Sequence, residues 1–172
     1  MRIRSMPYAT LCDQITIATP APAVWNALVD RDKSRIWAGA DFATDWQPGS
    51  SLVLTPLIVG KKSADKGEVL RAIAPDILSY RVLPRVSGLP DLPENYSLIT
   101  IRLAETAGQT RLEVTHSVPA SPVRRGKNFE IGPDSGRNHV AFYWRSTLPL
   151  LRDLVENRDT MALRIARHAA RQ

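Results

Sequence analysis

Residues 96–117, YSLITIRLAETAGQTRLEVTHS, decide how this chain of 172 residues folds. Apolar and polar residues alternate on both sides of Ala107-Gly108, a pattern typical of two antiparallel strands joined by a tight turn. In the second half, Leu112, Val114 and His116 are two positions apart and therefore share one face of a strand. The stretch predicts a β-hairpin, over residues 96–103 and 110–117, with His116 on the same face as the apolar residues.

Shorter alternating runs upstream of this hairpin predict further strands. They are bounded by turn signals, such as Gln47-Pro48-Gly49 and Ala74-Pro75-Asp76, so that consecutive strands are expected to be antiparallel neighbours. The predicted strands cover residues 14–18, 41–46, 51–57, 68–73 and 78–83. The polar stretch 60–66 and the proline-containing stretches 84–94 and 119–136 are predicted loops.

Helical spacing is found in three places. Val24, Trp25 and Leu28 predict a short amphipathic helix over residues 21–29, with Thr19 as its N-cap. A second short helix is predicted over residues 30–37, with Asp30 as its cap. Near the C-terminus apolar residues recur at spacings of 4, 4, 3 and 4, which predicts one long helix; they are Val140, Trp144, Leu148, Leu151 and Val155.

These elements together predict an α+β fold. An antiparallel sheet has to cover one apolar face, and the long C-terminal helix is the only predicted element of sufficient length. We therefore expect a curved antiparallel sheet wrapped around the C-terminal helix, with two short helices after the first strand.

The composition of the chain argues against cysteine-dependent sites and against membrane or secretion segments. Cys12 is the single cysteine, which excludes an internal disulfide framework, a cysteine-rich zinc site and a redox pair. No apolar run approaches the roughly 20 residues of a membrane span, and the basic start is not followed by the apolar run of a signal peptide. We expect a cytoplasmic protein without stable membrane insertion.

Charge separates the last residues from the rest of the chain. Residues 158–172 contain four arginines and one aspartate, so they carry +3 of the net charge of +6. We divide the chain into one domain, residues 1–157, and a basic helical extension, residues 158–172, that is expected to continue the last helix. No nucleic-acid-binding motif accompanies this charge, and no nucleic-acid partner is predicted.

Five stretches carry a resemblance to a known family. They are ITIATPAPAVWNALVD, DWQPGSSLVL, GEVLRAIAPDILSYRV, the hairpin quoted above and HVAFYWRSTLPLLRDLVE. In combination they resemble the SRPBCC superfamily, also called START-like or helix-grip. Within it the chain is most similar to the group named for the C-terminal domain of the activator of the heat-shock-protein-90 ATPase. The resemblance implies a helix-grip fold with a ligand cavity between sheet and helix.

The chain departs from that family at three points. Tyr143 stands before Trp144, where the family usually has glycine, and it should reduce the size of the cavity. Pro149 lies inside the last helix and removes one backbone hydrogen bond. The tail after Val155 extends past the usual end.

The candidate ligand site combines one face of the sheet with one side of the helix. Tyr80, Leu112, Val114 and His116 are on predicted inward faces, and His139 begins the long helix. His139, Tyr143 and Thr147 recur every four residues and so share one side of that helix. The predicted ligand-binding residues are Trp37, Trp46, Tyr80, Ile99, Ile101, Val114, His116, His139, Tyr143 and Thr147.

Three function classes remain open from the sequence. The first is a module that binds a small hydrophobic molecule without catalysis. The second is an enzyme of the cyclase or hydratase type with histidine or tyrosine as acid or base, and the third is a domain that regulates a chaperone ATPase. No catalytic motif, metal-ligand set or cofactor motif is present, so no metal and no cofactor are predicted. A homodimer is an open alternative for the assembly.

Overall fold

The predicted hairpin of residues 96–117 forms two adjacent inner strands of a seven-stranded sheet. The computed structural model describes residues 8–58 and 64–172. In these ranges the strands are β1 (Ala9–Ile17), β2 (Ala40–Ala43), β3 (Ser51–Pro56), β4 (Asp65–Ile73), β5 (Ile77–Leu83), β6 (Ser97–Thr106), β7 (Gln109–Val118), β8 (Arg124–Gly126) and β9 (Phe129–Ile131). The helices are α1 (Ala21–Val29), α2 (Arg31–Trp37), α3 (Ser135–Val155) and α4 (Met161–Ala170).

The large sheet is antiparallel throughout, with the strand order β1-β7-β6-β5-β4-β3-β2. The turn between β6 and β7 consists of Ala107 and Gly108, both with positive φ (52° and 76°). Two central residues with positive φ match the right-handed twist of the flanking strands. The predicted hairpin is therefore confirmed, and its register places Leu103 opposite Leu112 and Ile101 opposite Val114 on the buried face.

Helix α3 covers the buried face of the curled sheet, which is the predicted helix-grip arrangement. Its apolar stripe lies against the sheet, and Trp144 is 2% exposed. Trp37 of α2 stacks on Trp144 with ring centroids 6.5 Å apart, so the short helices close one end of the core. Burial of two indole rings makes this contact a major source of packing energy.

The N-terminus of α1 differs from the prediction. Thr19 is not its cap, because Pro20 holds that position and forms no side-chain cap bond. The hairpin supplies the missing contacts: the Ala21 N–H donates to the Glu105 carboxylate (2.8 Å), and the Thr110 hydroxyl donates to the Thr19 carbonyl (2.7 Å). The Asp30 cap of α2 is confirmed, since its carboxylate accepts from the Lys33 N–H at 2.8 Å.

The C-terminal residues also differ from the prediction. Residues 158–172 do not continue α3, which ends at Val155; Asn157 has a φ of 53°, and α4 begins after the Thr160 cap. Helix α4 folds back on α2, where Leu163 is fully buried and the Arg35 guanidinium donates to the Ala170 carbonyl (3.1 Å). The division into a domain and an extension stays a prediction.

Smaller differences concern strand ends and loops. Strand β1 begins at Ala9, five residues before the predicted start, and Trp46 lies beyond the end of β2 with a φ of 57°. The predicted loop 119–136 contains the small hairpin β8–β9 and the first residues of α3. Of the predicted loop 60–66, residues 60–63 lie outside the described ranges, and β4 already begins at Asp65.

Candidate functional site

Three of the predicted site residues form one row across the buried face of the sheet. Tyr80 of β5 is opposite Ile99 of β6, which in turn is opposite His116 of β7. Ile101 and Val114 form the next row with Leu78. The sequence-based assignment of these inward faces is confirmed, since each of these side chains is at most 8% exposed.

Helix α3 fixes the tautomer of His116. The Trp144 indole N–H donates to His116 Nδ1 at 3.0 Å, so Nδ1 carries no hydrogen and Nε2 of the neutral ring does. Burial and the charge of His139 lower the pKa of His116 from 6.5 to about 4. At neutral pH the buried ring is therefore an uncharged donor through Nε2–H.

Two tyrosine hydroxyl groups lie in the same region. Burial raises the pKa of Tyr80 well above 10, with a further contribution from Tyr143, and burial also raises the pKa of Tyr143. Both hydroxyls therefore keep their protons. Within residues 8–58 and 64–172 neither hydroxyl nor His116 Nε2 has a hydrogen-bond partner, and none of the three atoms is sealed from accessible space. These donors are therefore available to water or to a ligand.

Trp46 forms an aromatic wall next to Tyr80. Its ring centroid lies 5.8 Å from that of Tyr80 and 5.9 Å from that of Phe42, and both contacts are within the usual range for aromatic pairs. The indole N–H of Trp46 donates to the Val29 carbonyl at 3.0 Å, which leaves an apolar ring surface as its contribution. The sequence predicted Trp46 at the end of a strand, whereas it lies beyond the end of β2.

Two predicted site residues have their polar groups occupied elsewhere. The Trp37 indole N–H donates to the Ala27 carbonyl (2.9 Å), and its ring is buried against Trp144. The Thr147 hydroxyl donates to the Tyr143 carbonyl one turn earlier in α3 (2.9 Å). Both side chains support the site from the core, and the structure does not bring Trp37 to its opening.

A groove of about 300 Å³ opens at the N-terminal end of α3. Most of its wall is apolar, and serine hydroxyls, His139 and Arg124 provide the polar groups. It is lined by Pro84, Val86, Ser87, Leu89, Ser97, Val118, Pro119, Ala120, Ser121, Pro122, Arg124, Ile131, Ser135, Gly136, His139 and Val140. Of the ten predicted site residues, only His139 is in this lining.

The groove leads toward the three donors. Ser97 and Val118 are two positions from Ile99 and His116 on the same strand faces, which corresponds to about 7 Å along each strand. His139 and Val140 precede Tyr143 and Trp144 by one helical turn. The groove therefore lies next to the row of Tyr80, Ile99 and His116 along the same strand faces, although none of the three donors lines it.

The rim of the groove is held by contacts that the sequence did not reveal. The Arg124 guanidinium of β8 donates to the Ser87 carbonyl, which joins the two loops over the groove, and the Ser121 hydroxyl accepts from the Gly136 N–H (2.8 Å). The Asp65 carboxylate accepts from the Arg85 N–H (2.8 Å), and burial raises the pKa of Asp65. Ser97 could have been found from the alternation of β6, whereas Ser121 and Arg124 lie in a stretch without periodicity.

In the described ranges, no three histidine, cysteine, aspartate or glutamate side chains are grouped as they would be around a metal ion. No helix in that part of the chain combines the length and the apolar character needed to cross a membrane.

Comparison with known proteins agrees with this geometry. The family described as Activator of Hsp90 ATPase homolog 1-like protein matches residues 18–156. The chain belongs to this family. A comparison with curated protein sequences found no match.

Several solved structures are similar in fold to this Activator of Hsp90 ATPase homolog 1-like chain. The Cytophaga hutchinsonii protein ChR145 is 27% identical, with a TM-score of 0.67 over 88% of this chain and 97% of that one. DynU16, a putative protein in the dynemicin biosynthetic locus, is 20% identical, with a TM-score of 0.64 over 88% of this chain and 49% of that one. An HSP90 activator from Plasmodium falciparum is 18% identical, with a TM-score of 0.60 over 87% of this chain and 97% of that one. The last two likenesses concern the fold alone.

Proposed function

We propose that this chain binds a small, uncharged, mostly apolar molecule between the sheet and α3. The observation that carries the proposal is a set of three donors without an acceptor among the described residues, namely the buried Tyr80 and His116 and the half-buried Tyr143, in an otherwise apolar region. A ligand that enters through the groove would place an acceptor oxygen, such as a ketone, at these donors. Its apolar body would contact Trp46, Val118 and Val140.

The size of the groove at the N-terminal end of α3 favours a small molecule. A volume of about 300 Å³ is at the lower end of ligand pockets, which run from about 300 to 1,000 Å³. Tyr143 projects a phenol ring where a glycine would leave space, and this ring contacts Trp144 with centroids 4.9 Å apart. A compact aromatic ligand fits this space better than a long lipid chain.

Binding without turnover agrees best with the ionisation of the donors. General acid–base catalysis is most efficient when the pKa of the catalytic group is close to the working pH. The pKa of His116 is lowered to about 4, and those of Tyr80 and Tyr143 are raised above 10. The three groups are suited to hold an oxygen atom by hydrogen bonds and poorly suited to exchange protons with it. A cyclase or hydratase activity, the enzymatic alternative, would have to use other groups.

The test uses prodan, an uncharged naphthalene ketone whose fluorescence depends on its surroundings. We expect prodan to bind the wild-type chain with a blue-shifted emission. Tyr143→Phe should weaken binding by about 3- to 10-fold, because one hydrogen bond contributes about 0.5–1.5 kcal/mol. Tyr96→Phe is the matched control, since the Tyr96 hydroxyl donates to Asp91 on the opposite face of the sheet (2.7 Å). Equal loss in both variants, or no binding by the wild type, would contradict the proposal.

A second candidate follows from family membership. The family name and the Plasmodium falciparum structure both refer to activation of the Hsp90 ATPase. A chaperone-regulating role would require a protein surface and would not depend on Tyr143. If the purified chain stimulates a chaperone ATPase equally in wild-type and Tyr143→Phe form, and prodan does not compete, this candidate replaces ligand binding.

A further inference from the structure

The two edges of the large sheet differ in how they are protected. At one edge β2 has only four residues, and α2 packs beside it. At the other edge β1 has nine residues, ATLCDQITI, with one charge, no proline and an uninterrupted register against β7. Short strands, covering helices, prolines and bulges are the usual devices that prevent edge-to-edge pairing. Strand β1 is long and has neither a proline nor a bulge; α3 packs against it but does not pair with its outer backbone groups.

The outer backbone groups of β1 belong to the even-numbered residues. The Gln14 N–H donates to the adjacent Asp13 carboxylate (2.8 Å) instead of to β7, and the Ala18 N–H donates to Glu156 of α3 (2.7 Å). Because the N–H and C=O groups of one residue in an antiparallel ladder point to the same side, Thr10, Cys12 and Thr16 also present theirs outward. No other strand in the described ranges pairs with them.

A groove with unpaired charges runs beside this edge. It has a volume of about 320 Å³ and is lined by Leu11, Cys12, Asp13, Ala141, Trp144 and Arg145. Within the described residues, neither Asp13 nor Arg145 forms an ion pair with another side chain. Phe142, the neighbour of Ala141 in α3, is 64% exposed. The edge strand and the flank of α3 thus form a continuous surface with apolar area and one charge of each sign.

We propose that this surface binds a second copy of the chain, through antiparallel pairing of the two β1 strands. The longest two-fold register would be centred on Asp13 and would place two carboxylates opposite each other, which is unfavourable. A two-fold axis at Cys12 avoids this clash. It places Cys12 opposite Cys12, Thr10 opposite Gln14, and Asp13 opposite Leu11 of the second copy.

The same register pairs the unmatched charges. Leu11 and Arg145 line one groove, so Asp13 of one copy faces the groove that contains Arg145 of the other. The two-fold axis repeats this contact, which gives two complementary charge pairs in one interface. Each copy supplies one member of both charge pairs, so the surface is complementary to itself, which favours a second copy as the partner.

The first experiment measures mass in solution by sedimentation equilibrium. We expect the wild-type chain to form dimers, and Cys12→Lys to raise the dimer dissociation constant by at least about tenfold, because it places two positive charges together on the axis. Thr16→Lys is the matched control, since Thr16 is exposed on the same strand but lies away from the axis. A wild-type chain that stays monomeric at every concentration, or equal effects of the two lysines, would overturn the proposal.

The second experiment tests the register with the single cysteine. In a hydrogen-bonded antiparallel pair the Cα atoms are about 5.5 Å apart, within the range of a disulfide. Mild oxidation should therefore yield a covalent dimer of the wild-type chain. In the double variant Cys12→Ser, Gln14→Cys the two cysteines would be roughly 14 Å apart, and oxidation should not link them. Equal cross-linking of both proteins would show random collision and would overturn the register.

Discussion

At the scale of single residues, His116 makes the stability of this domain depend on pH. Its pKa is about 4 in the folded chain and about 6.5 in an unfolded one, so the unfolded chain binds a proton first as the pH falls. The contribution is fully present above pH 6.5 and is lost on going down to pH 4. The predicted loss in free energy of unfolding is about 3 kcal/mol.

The measurement is chemical denaturation of the wild-type chain and of His116→Gln between pH 7.5 and 4. A glutamine can still accept the Trp144 N–H through its amide oxygen but does not titrate in this range. Carboxylates such as Asp65 contribute equally to both proteins, so the difference between the two curves isolates the histidine. Parallel curves would show that the ring is not kept neutral by burial.

Tyr143 is the residue that should set the size of the ligand. Tyr143→Gly should cost about 1 kcal/mol in helix propensity, in addition to the lost contact with Trp144. The enlarged space should admit Nile red, a larger aromatic ketone, with higher affinity relative to prodan than in the wild type. Fluorescence titration of both probes checks this, and an unchanged affinity ratio would mean that Tyr143 does not face the ligand.

At the scale of elements, α4 is part of the packed core although its composition suggests a solvated tail. Leu163 is fully buried, whereas Ile165, two positions further on, is 63% exposed. Leu163→Ala should therefore reduce the free energy of unfolding by about 2–5 kcal/mol, and Ile165→Ala by less than about 0.5 kcal/mol. Urea denaturation compares the two variants of one helix. Similar small effects would show that α4 does not stabilise the domain and that residues 158–172 are a separable extension.

The elements also show what the sequence could and could not predict. Strict alternation in residues 97–118 and the i, i+4 stripe of α3 predicted both elements correctly, because one face of each has to be buried. The break between α3 and α4 was missed because it depends on a few local groups: Asn157 in the left-handed region and the Thr160 hydroxyl, which accepts from the Leu163 N–H (3.2 Å). The Thr19 cap failed because a distant carboxylate, Glu105, took over that role.

The candidate site was predictable only to the same extent as the elements. Inward faces follow from alternation, so the buried positions of Tyr80, Ile99 and His116 were predicted correctly. The groove could not be predicted, because its rim joins loops that are far apart in sequence, as in the contact of Arg124 with the Ser87 carbonyl. For Trp37 the prediction and the structure differ. It was predicted to bind the ligand, but it is a core residue, and its N–H already donates to the Ala27 carbonyl.

At the scale of the whole molecule, α3 separates the two proposed binding surfaces. His139 lies in the ligand groove on one flank, and Ala141 and Arg145 lie beside β1 on the other. Positions 139 and 141 are about 200° apart around the helix axis, since each residue advances by about 100°. Trp144 is the residue common to both, since it lines the groove beside β1 and donates to His116.

This separation predicts that the effects of the two sets of variants are independent. Cys12→Lys should weaken the dimer and leave the prodan affinity unchanged, and Tyr143→Phe should weaken prodan binding and leave the dimer dissociation constant unchanged. The double variant should show the sum of both free-energy changes, because neither variant alters Trp144, the residue that the two surfaces share. Titration and sedimentation of all four proteins measure this. A coupling of more than about 0.5 kcal/mol would mean that α3 shifts when either surface is occupied, and that the dimer regulates the ligand site.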